Sequence, residues 1–254
     1  MIRVGMLGCG NIAGIIVSHG GTLIDVAGCY DTDAARSETF AQRVSAEPCP
    51  NIDVLLGIDF PLLVEAASIK AVQDHLHDVL ARGKDAVVLS VGALVDPAFL
   101  GDVKRTAAEN GCRIFIPSGA VFGLDNLKVA RICGIDRLLL RTTKPPWALG
   151  LDSGTRRTCL FRGSAAEAVR RFPRNINVSA SLGLATGVDP DVELWVDPSV
   201  MSNRHDIEAA GVFGSVAIKA DNLPSPDNPA TSYLAALSVL TLLKDLDDPL
   251  VVGT

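Results

Sequence analysis

The start of the chain carries a glycine-rich pattern that is suited to binding a phosphate group. Gly8, Gly10 and Ala13 occupy the key positions of G-x-G-x-x-G/A, between an apolar run and a helical pattern. A glycine at the first position permits a tight turn, and one at the second lets a pyrophosphate approach the backbone. The following helix offers free N–H groups to the phosphates, so we expect Asn11 and Ile12 to take part.

An acidic residue stands at the distance from these glycines that ribose recognition requires. Asp31 lies 21 residues after Gly10, at the end of the second predicted strand. Its carboxylate can accept hydrogen bonds from a ribose 2′-hydroxyl, and it would repel a 2′-phosphate. The alternative interpretation is a tight turn and a helix-capping aspartate without any ligand. The two signals together predict a dinucleotide site that prefers NAD over NADP.

Two later predicted strands end in small residues that suit the same groove. Ala67 and Ser68 follow one strand, and Ser90 and Gly92 follow the next. Ligands of open α/β sheets bind outside the carboxyl ends of the strands. Small side chains leave room there for a ribose and a nicotinamide, although simple turn residues would have the same composition. We therefore add these four residues to the predicted cofactor site.

His205 is the leading candidate for acid–base catalysis. An imidazole titrates near neutral pH, so it can carry a proton to or from a reacting group. The residue lies in a polar segment, 202–206, where Arg204 and Asp206 are neighbours that could orient the ring. From this polarity we expect the ring to line a wet cleft. A histidine on the surface without a function is the alternative.

The first half of the chain alternates between apolar strands and amphipathic helices. Strands are predicted at 2–7, 23–30, 60–66, 86–91 and 113–116, and helices at 11–19, 33–45, 69–82 and 96–110. Continuously apolar strands that alternate with helices are typical of a parallel sheet covered on both faces. The sequence therefore predicts an α/β fold with an N-terminal Rossmann domain, a doubly wound parallel sheet.

The rhythm changes after about residue 118. Strands are predicted at 136–143, 158–162, 192–196 and 216–220, and helices at 164–172 and 178–185. Consecutive strands without intervening helices favour a second, α+β domain with a mixed or antiparallel sheet. We expect a dinucleotide-binding domain of residues 1–118 plus the last helix, about 229–254, and a substrate, catalytic and dimerisation domain of residues 119–228.

Composition narrows the classes of partner. The 254 residues carry a net charge of −6 and show no run of Lys or Arg, which argues against nucleic-acid and anionic-membrane partners. The strongly apolar stretch 234–243 is too short for a bilayer, which needs about 20 residues. The first residues lack a secretory pattern, so the cytoplasm is the expected location.

The cysteines and histidines do not predict a metal site. Six cysteines are scattered without a CxxC motif, which favours reduced and mostly buried thiols. His75 and His77 are two residues apart in a helical pattern, so they face different directions. We expect no bound metal.

Many short segments, taken in order, are similar to the L-aspartate dehydrogenases, small archaeal and bacterial enzymes linked to NAD biosynthesis. The resemblance covers nearly the whole chain. Its most specific segments are 65–68, 89–93, 118–125, 142–144, 161–164, 172–178, 203–207, 211–214 and 228–233. The chain departs from the family pattern at Phe122, where a second glycine is usual.

The resemblance implies an activity and assigns roles to individual residues. It implies oxidation of L-aspartate to iminoaspartate, which hydrolyses to oxaloacetate and ammonia, and the reverse reductive amination. It further implies that Ala120 and Asn177 contact the cofactor and that His205 is the active-site residue. Asn203, from the same N-x-H-x-I segment, is expected to contact the substrate.

A dicarboxylic substrate needs cations, and three residues are candidates. Lys144 is the best of them because it follows a predicted strand and precedes the rigid Pro-Pro-Trp turn. Arg141 and Arg204 are the others, and solvation at the surface is the alternative for all three. A homodimer built largely from the second domain is also expected.

Two other functions stay open on the sequence alone. One is a related Rossmann oxidoreductase that acts on another small acid or imine, for which Phe122 is the single positive hint. The other is a catalytically silent dinucleotide sensor. The presence of His205 in a polar segment argues against the sensor, which needs no acid–base group.

Overall fold

Two compact units make up the chain. The computed structural model describes residues 1–152, 156–172, 177–225, 232–250 and 252–253. Unit 1 consists of Met1–Pro117 and Ala236–Val251, and unit 2 of Ser118–Ala235 and Val252–Thr254. The expected start of the last helix, near residue 229, lies outside the described residues, and the helix is seen from Tyr233 onwards.

Unit 1 is built on a six-stranded parallel sheet, as the sequence predicts. The strands are β1 (Ile2–Leu7), β2 (Ile24–Tyr30), β3 (Glu47–Pro48), β4 (Leu62–Glu65), β5 (Asp85–Val88) and β6 (Ile114–Phe115). Their order in the sheet is β3-β2-β1-β4-β5-β6, which is the order of the Rossmann fold. The carboxyl ends of β1, β4 and β5 therefore lie next to one another at one edge.

Five helices connect these strands, and most begin at a polar cap. They are α1 (Asn11–Gly20), α2 (Ala34–Val44), α3 (Ile52–Gly57), α4 (Ile69–Ala81) and α5 (Pro97–Glu109). The side chains of Asp33, Asn51, Ser68 and Asp96 accept N–H groups in the first turns of α2 to α5. Such caps stop the chain from fraying and fix where each helix begins.

Three features of unit 1 differ from the sequence prediction. The short elements β3 and α3 were not predicted, because two and six residues are too few to show a period. The strand predicted at 86–91 ends at Val88, and Val91–Val95 forms a 3-10 helix instead. An apolar run alone does not distinguish these two conformations.

Unit 2 is built on a mixed five-stranded sheet, which confirms the predicted class. The strands are β7 (Arg137–Lys144), β8 (Thr158–Ser164), β9 (Asp191–Val196), β10 (Asn203–Gly211) and β11 (Gly214–Asn222). They are ordered β11-β10-β7-β9-β8, and β7 and β9 form the parallel pair. β10 was not predicted, because its first residues read as a polar segment.

The helices of unit 2 cover one face of this sheet. They are α6 (Leu124–Leu127), α7 (Ala130–Cys133), α8 (Ala165–Arg171) and α9 (Asn177–Thr186). The last helix of the chain, α10 (Tyr233–Asp247), belongs mostly to unit 1. Strand residues such as Leu140 and Ile207 pack with Leu182 of α9 and Leu124 of α6 in one apolar cluster. The two single-turn helices, α6 and α7, were not predicted.

Two further observations concern the whole described chain. All six cysteines are free thiols and four of them are buried, as expected. None of the helices in the described residues is long and apolar enough to cross a membrane.

Paired glycines let side chains pack closely onto the sheet of unit 1. Gly5 of β1 pairs with Gly28 of β2, and a methyl group at Gly5 would overlap the ring of Phe60. We expect Gly5→Ala to destabilise the protein by about 1–3 kcal/mol, because overpacking forces neighbouring groups apart. Thermal or urea unfolding measures this loss.

Gly101 provides the matched control. It lies in α5, and a methyl group there would meet no atom within 4 Å. Gly101→Ala should therefore raise stability by up to about 1 kcal/mol, since alanine favours a helix more than glycine does. Equal effects at the two positions would show that packing of Phe60 is not what requires Gly5.

Candidate active site

The first glycine of the N-terminal motif is required by its backbone and by its neighbours. Gly8 follows β1 and has φ of 92°, which side chains rarely tolerate. A Cβ there would also lie 2.8 Å from the Ala66 carbonyl group and from the Cβ of Ala67. The turn after β1 thus packs directly against the loop after β4.

The second glycine opens the N-terminus of α1. Gly10 caps α1 without a side chain, and a Cβ built on it would meet nothing within 4 Å. The first turn, which contains the half-buried Asn11 and Ile12, carries no acidic residue. A helix start with open space and no carboxylate fits a phosphate group, since the first N–H groups of a helix favour an anion.

Asp31 lies beside this turn, as predicted, and part of its carboxylate is already bonded. It follows β2 directly, and its two oxygens accept the N–H groups of Cys9 and Asp33, at 2.8 and 2.9 Å. The guanidinium of Arg36 lies 3.9 Å from the oxygen that Cys9 bonds. Asp31 therefore joins the end of β2 to the glycine turn.

The four small residues predicted from the later strand ends lie at the same edge of the sheet, but both hydroxyls have partners within the protein. Ser68 Oγ accepts the N–H of Ala71 at 3.1 Å and caps α4, whereas Ala67 is exposed beside it. Ser90 is buried, as is Gly92, and its hydroxyl lies 2.8 Å from a carboxylate oxygen of Glu65. Sequence reasoning did not single out that carboxylate.

In unit 2, the pleat of β10 corrects the expected surroundings of His205. Successive side chains of a strand point to opposite faces. Asn203, His205 and Ile207 lie on the buried face of the sheet, whereas Arg204 and Asp206 lie on the other face. His205 is only 4% exposed, so the expected wet cleft and the expected orienting neighbours were both wrong.

The ring of His205 is oriented instead by a residue of the neighbouring strand. Its Nδ1 lies 3.0 Å from Oγ1 of Thr142, which is its register partner on β7. Burial lowers the pKa of His205 to about 3, with a smaller contribution from the charge of Lys144. The imidazole is therefore neutral at physiological pH in the ligand-free protein.

Lys144 shares this buried face, two residues beyond Thr142. It is the last residue of β7 rather than a residue after the strand, and only 4% of it is exposed. Burial lowers the pKa of Lys144 to about 8. A lysine with this pKa is charged at neutral pH but loses its proton under mildly alkaline conditions.

The other two candidate cations are committed to ion pairs on the opposite face. Arg204 pairs with Asp221, and Arg141 pairs with Glu193 at 2.9 Å and with Glu208 at 3.8 Å.

The pairs of Arg141 belong to a longer row of ion pairs on this face, because Arg137 bonds Glu208 at 2.7 Å and Arg162 lies 3.3 Å from Glu193. This ion-pair row crosses β10, β7, β9 and β8. The two candidate arginines, Arg141 and Arg204, therefore lie on the face opposite to His205 and Lys144.

Of the remaining predicted residues of unit 2, Asn203 lies on the same buried face, and Ala120 is linked to it through Asn222. Asn203 is buried and pairs in register with Asn222, whose Nδ2 donates to the carbonyl of Ala120 at 2.7 Å. Asn177 is half-buried at the first described residue of α9. Residues 173–176, which precede it in the family-like segment 172–178, lie outside the described residues. Phe122 is 58% exposed, so the family's usual glycine is replaced here by an exposed aromatic ring.

The arrangement in unit 2 is thus a polar group at the end of an apolar face. Asn203, His205, Thr142 and Lys144 share the buried side of β10 and β7, next to the cluster that contains Leu140. Thr142 was missed from the sequence as a positioning group. Within the described part of the chain, no group of three His, Cys, Asp or Glu residues could hold a metal ion.

Each of the two parts of the chain matches a known protein family. Residues 8–117 match the family described as homoserine dehydrogenase, NAD binding domain, and residues 125–246 match aspartate dehydrogenase, C-terminal. A nicotinamide dinucleotide is therefore the cofactor class of the first part, in agreement with the open start of α1.

Similar proteins span the full length. The chain is 49% identical to an L-aspartate dehydrogenase of Methanospirillum hungatei, with 100% of each chain covered. It is 41% identical to one of Methanothermobacter thermautotrophicus, with 100% of this chain and 99% of the relative covered. The crystal structure of aspartate dehydrogenase from Thermotoga maritima matches with a TM-score of 0.84 at 28% identity, over 100% of both chains. The chain belongs to the L-aspartate dehydrogenase family.

Proposed function

We propose that the protein oxidises L-aspartate to iminoaspartate with NAD, and that it also catalyses the reverse reductive amination. The observation that carries this proposal is the buried pair of His205 and Lys144 on one face of the unit 2 sheet. It supplies a proton carrier and a cation, the two groups that an amino dicarboxylate requires. Iminoaspartate then hydrolyses to oxaloacetate and ammonia.

His205 is the proton carrier of the proposed reaction. A bound nicotinamide would supply the acceptor for the hydride on the Cα of the substrate, and the amino group must lose a proton for the imine to form. In the tautomer that this requires, Nδ1–H donates to Thr142 Oγ1, at 3.0 Å, and Nε2 carries the free lone pair. Thr142 thus fixes the tautomer and the orientation of the ring.

Lys144 links substrate charge to the basicity of His205. In the ligand-free protein, burial and the nearby ammonium group both disfavour a protonated imidazole. A substrate carboxylate paired with Lys144 would neutralise this cation and so raise the pKa of His205. A bound dicarboxylate would therefore make His205 a stronger base for the proton of the substrate amino group, whereas a neutral substrate would not.

Unit 1 supplies the proposed dinucleotide contacts. The open start of α1 at Gly10 would hold the pyrophosphate, with Asn11 and Ile12 in the first turn. Asp31 would bond the ribose hydroxyls of the adenosine half. The small residues after β4 and β5 complete the proposed set of this unit. Ala120 and Asn177 stay predictions from the family resemblance.

We also propose a homodimer that works in the cytoplasm. The family resemblance implies the dimer and a role in NAD biosynthesis. The C-terminal helix gives little support for the dimer, because α10 buries Ala236, Val239 and Leu243 against its own chain. Better support comes from unit 2, where the edge strand β11 and its hairpin expose Val212 and Val216. A second copy would cover such an edge.

An assay that follows NADH absorbance tests the central proposal. We expect NAD to be reduced with L-aspartate and not with a panel of other amino acids. His205→Ala should lower kcat by about 10²–10⁴-fold, the usual contribution of a positioned acid–base group. The dissociation constant for NADH should stay within about twofold of wild type, because its proposed contacts lie elsewhere.

Asp206→Asn is the matched control for that variant. Asp206 is the next residue of β10 but lies on the opposite face, so the kcat of this variant should be that of wild type. Turnover by His205→Ala at the wild-type rate would remove the imidazole from the mechanism. A parallel fall in melting temperature, NADH affinity and rate would instead mark His205 as a packing residue.

Lys144→Met should weaken binding of a dicarboxylate. Succinate is the suitable probe, because it has no amino group that titrates in the alkaline range. We expect its inhibition constant to rise at least about 30-fold, equal to roughly 2 kcal/mol for a lost partner in a buried charge pair. In the wild type, succinate affinity should fall as pH rises above about 8, where Lys144 loses its proton.

The pH profile separates this role from a structural one. Lys144→Met should show a flat profile across the same range, whereas the exposed Lys219→Met should keep the wild-type profile and affinity. A decline above pH about 8 that persists in Lys144→Met would assign the titration to another group and contradict the proposal.

Cofactor choice should depend on Asp31. We expect kcat/KM to be at least about tenfold higher with NAD than with NADP, because a 2′-phosphate would meet this carboxylate at close range. Asp31→Ser should remove the repulsion and leave Arg36, now 3.9 Å away, to pair with the phosphate. Asp33→Ser keeps a cap for α2 but removes the carboxylate 3.5 Å from Arg36, so it should change the ratio less than Asp31→Ser does. A wild-type preference for NADP would refute this assignment.

A further inference from the structure

A buried carboxylate at the end of β4 is not explained by the chemistry above. Glu65 is 2% exposed, yet it is the last residue of a strand at the edge where the cofactor is expected. Its Oε1 accepts the N–H of Ala67 and the hydroxyl of Ser90, both at 2.8 Å. Its Oε2 accepts the N–H groups of Leu89 and Ser90, at 3.1 and 2.9 Å.

These four bonds join two loops that are far apart in sequence. Ala67 belongs to the loop after β4, whereas Leu89 and Ser90 belong to the loop after β5. The first loop is also held to β1, because the N–H of Ala66 donates to the carbonyl of Leu7 at 2.8 Å. Gly8 packs against the same Ala66 and Ala67. The carboxylate therefore joins the loops after β4 and β5, and the first of these loops is in turn held to the end of β1.

Only a carboxylate satisfies this arrangement. Three of the four donors are backbone N–H groups that cannot turn away, and an isosteric amide would direct its own N–H groups at one or more of them. Burial raises the pKa of Glu65, and the hydrogen bonds from Ser90, Ala67 and Leu89 oppose that effect. A buried acid is costly to maintain, so its placement at this edge calls for a role.

We propose that Glu65 is a positioning residue for the dinucleotide. It does not touch the cofactor, since it is buried, but it holds the loops after β4 and β5 in the conformation that the cofactor binds. Without it, the loops must be ordered by the cofactor at a cost in affinity. This inference rests on the proposed cofactor site of unit 1.

Glu65→Gln is the first test, read out by NADH fluorescence and by kcat at saturating NADH. The variant keeps the size of the side chain and one carbonyl acceptor, but it leaves at least one loop N–H without an acceptor. We expect the dissociation constant for NADH to rise about tenfold or more. The value of kcat at saturation should change less than twofold, because the chemical groups of unit 2 are untouched.

Lys84→Met is the matched control for lost stability. Lys84 is also buried in unit 1, but it precedes β5, and its Nζ donates to the carbonyls of Ile58 and Phe60, each at 2.9 Å. These contacts lie at the amino-terminal ends of β4 and β5, whereas Glu65 lies at the carboxyl end of β4. The substitution should lower the melting temperature without changing the dissociation constant for NADH.

Ser90→Ala keeps the test decisive if Glu65→Gln does not fold. It removes only the hydroxyl donor, so we expect a smaller loss of NADH affinity, about twofold to fivefold. If Glu65→Gln folds, the double variant should bind NADH as weakly as Glu65→Gln alone, because both changes disrupt one network. Additive losses would show that the hydroxyl of Ser90, and not only its backbone, contacts NADH independently of Glu65, which overturns the linkage.

The outcomes separate the two levels of the argument. Failure of the wild type to bind NADH would overturn the proposed function and this inference together. If the wild type binds NADH and a folded Glu65→Gln variant binds it with unchanged affinity, the role of Glu65 alone is overturned. If Glu65→Gln does not fold, unchanged affinity in Ser90→Ala has the same consequence. An equal loss of affinity in Lys84→Met at equal loss of stability would also overturn it, since any destabilised sheet would then do the same.

Discussion

Removal of water from the polar end of the unit 2 sheet is the condition on which the candidate chemistry depends. Neither an imidazole nor an ammonium group gives up its hydration without a change in pKa, and here both lie on one buried face. The histidine is held neutral and the lysine is held near the point of deprotonation. Their behaviour follows from the pairing of β10 with β7, which places His205 beside Thr142.

A second constraint shapes unit 1, where parallel strands deliver their carboxyl ends to a single edge. The turn after β1 needs glycine at position 8 because the neighbouring loop approaches it so closely. The start of α1 stays uncapped, in contrast to α2 to α5, whose first turns are closed by polar side chains. Among these five helices, the one without a side-chain cap is therefore the one at whose start an anion is expected.

Much of this could be predicted from local patterns, and the rest could not for physical reasons. Helices such as α4 show a clear period and a capping residue, so their bounds were predicted closely. β10 was missed because its two faces carry different chemistry, and residues 203–206 alone look like a polar loop. The alternation from Asn203 to Ala209 was the available signal. Thr142 and Glu65 act through partners 63 and up to 25 positions away, and no local pattern reveals such pairs.

The ion-pair row on the outer face of unit 2 bears on the fidelity of strand alignment. A slip of β10 by one residue relative to β7 would turn every side chain of that strand over. Glu208 would then enter the apolar cluster, and His205 would emerge among the arginines, hydrated and freely titrating. The bonds from Arg137 and Arg141 to Glu208 form only in the observed alignment. The ion pairs on the outer face thus stabilise the strand alignment that keeps the imidazole of His205 buried, and through it the pKa of a ring on the other side of the sheet.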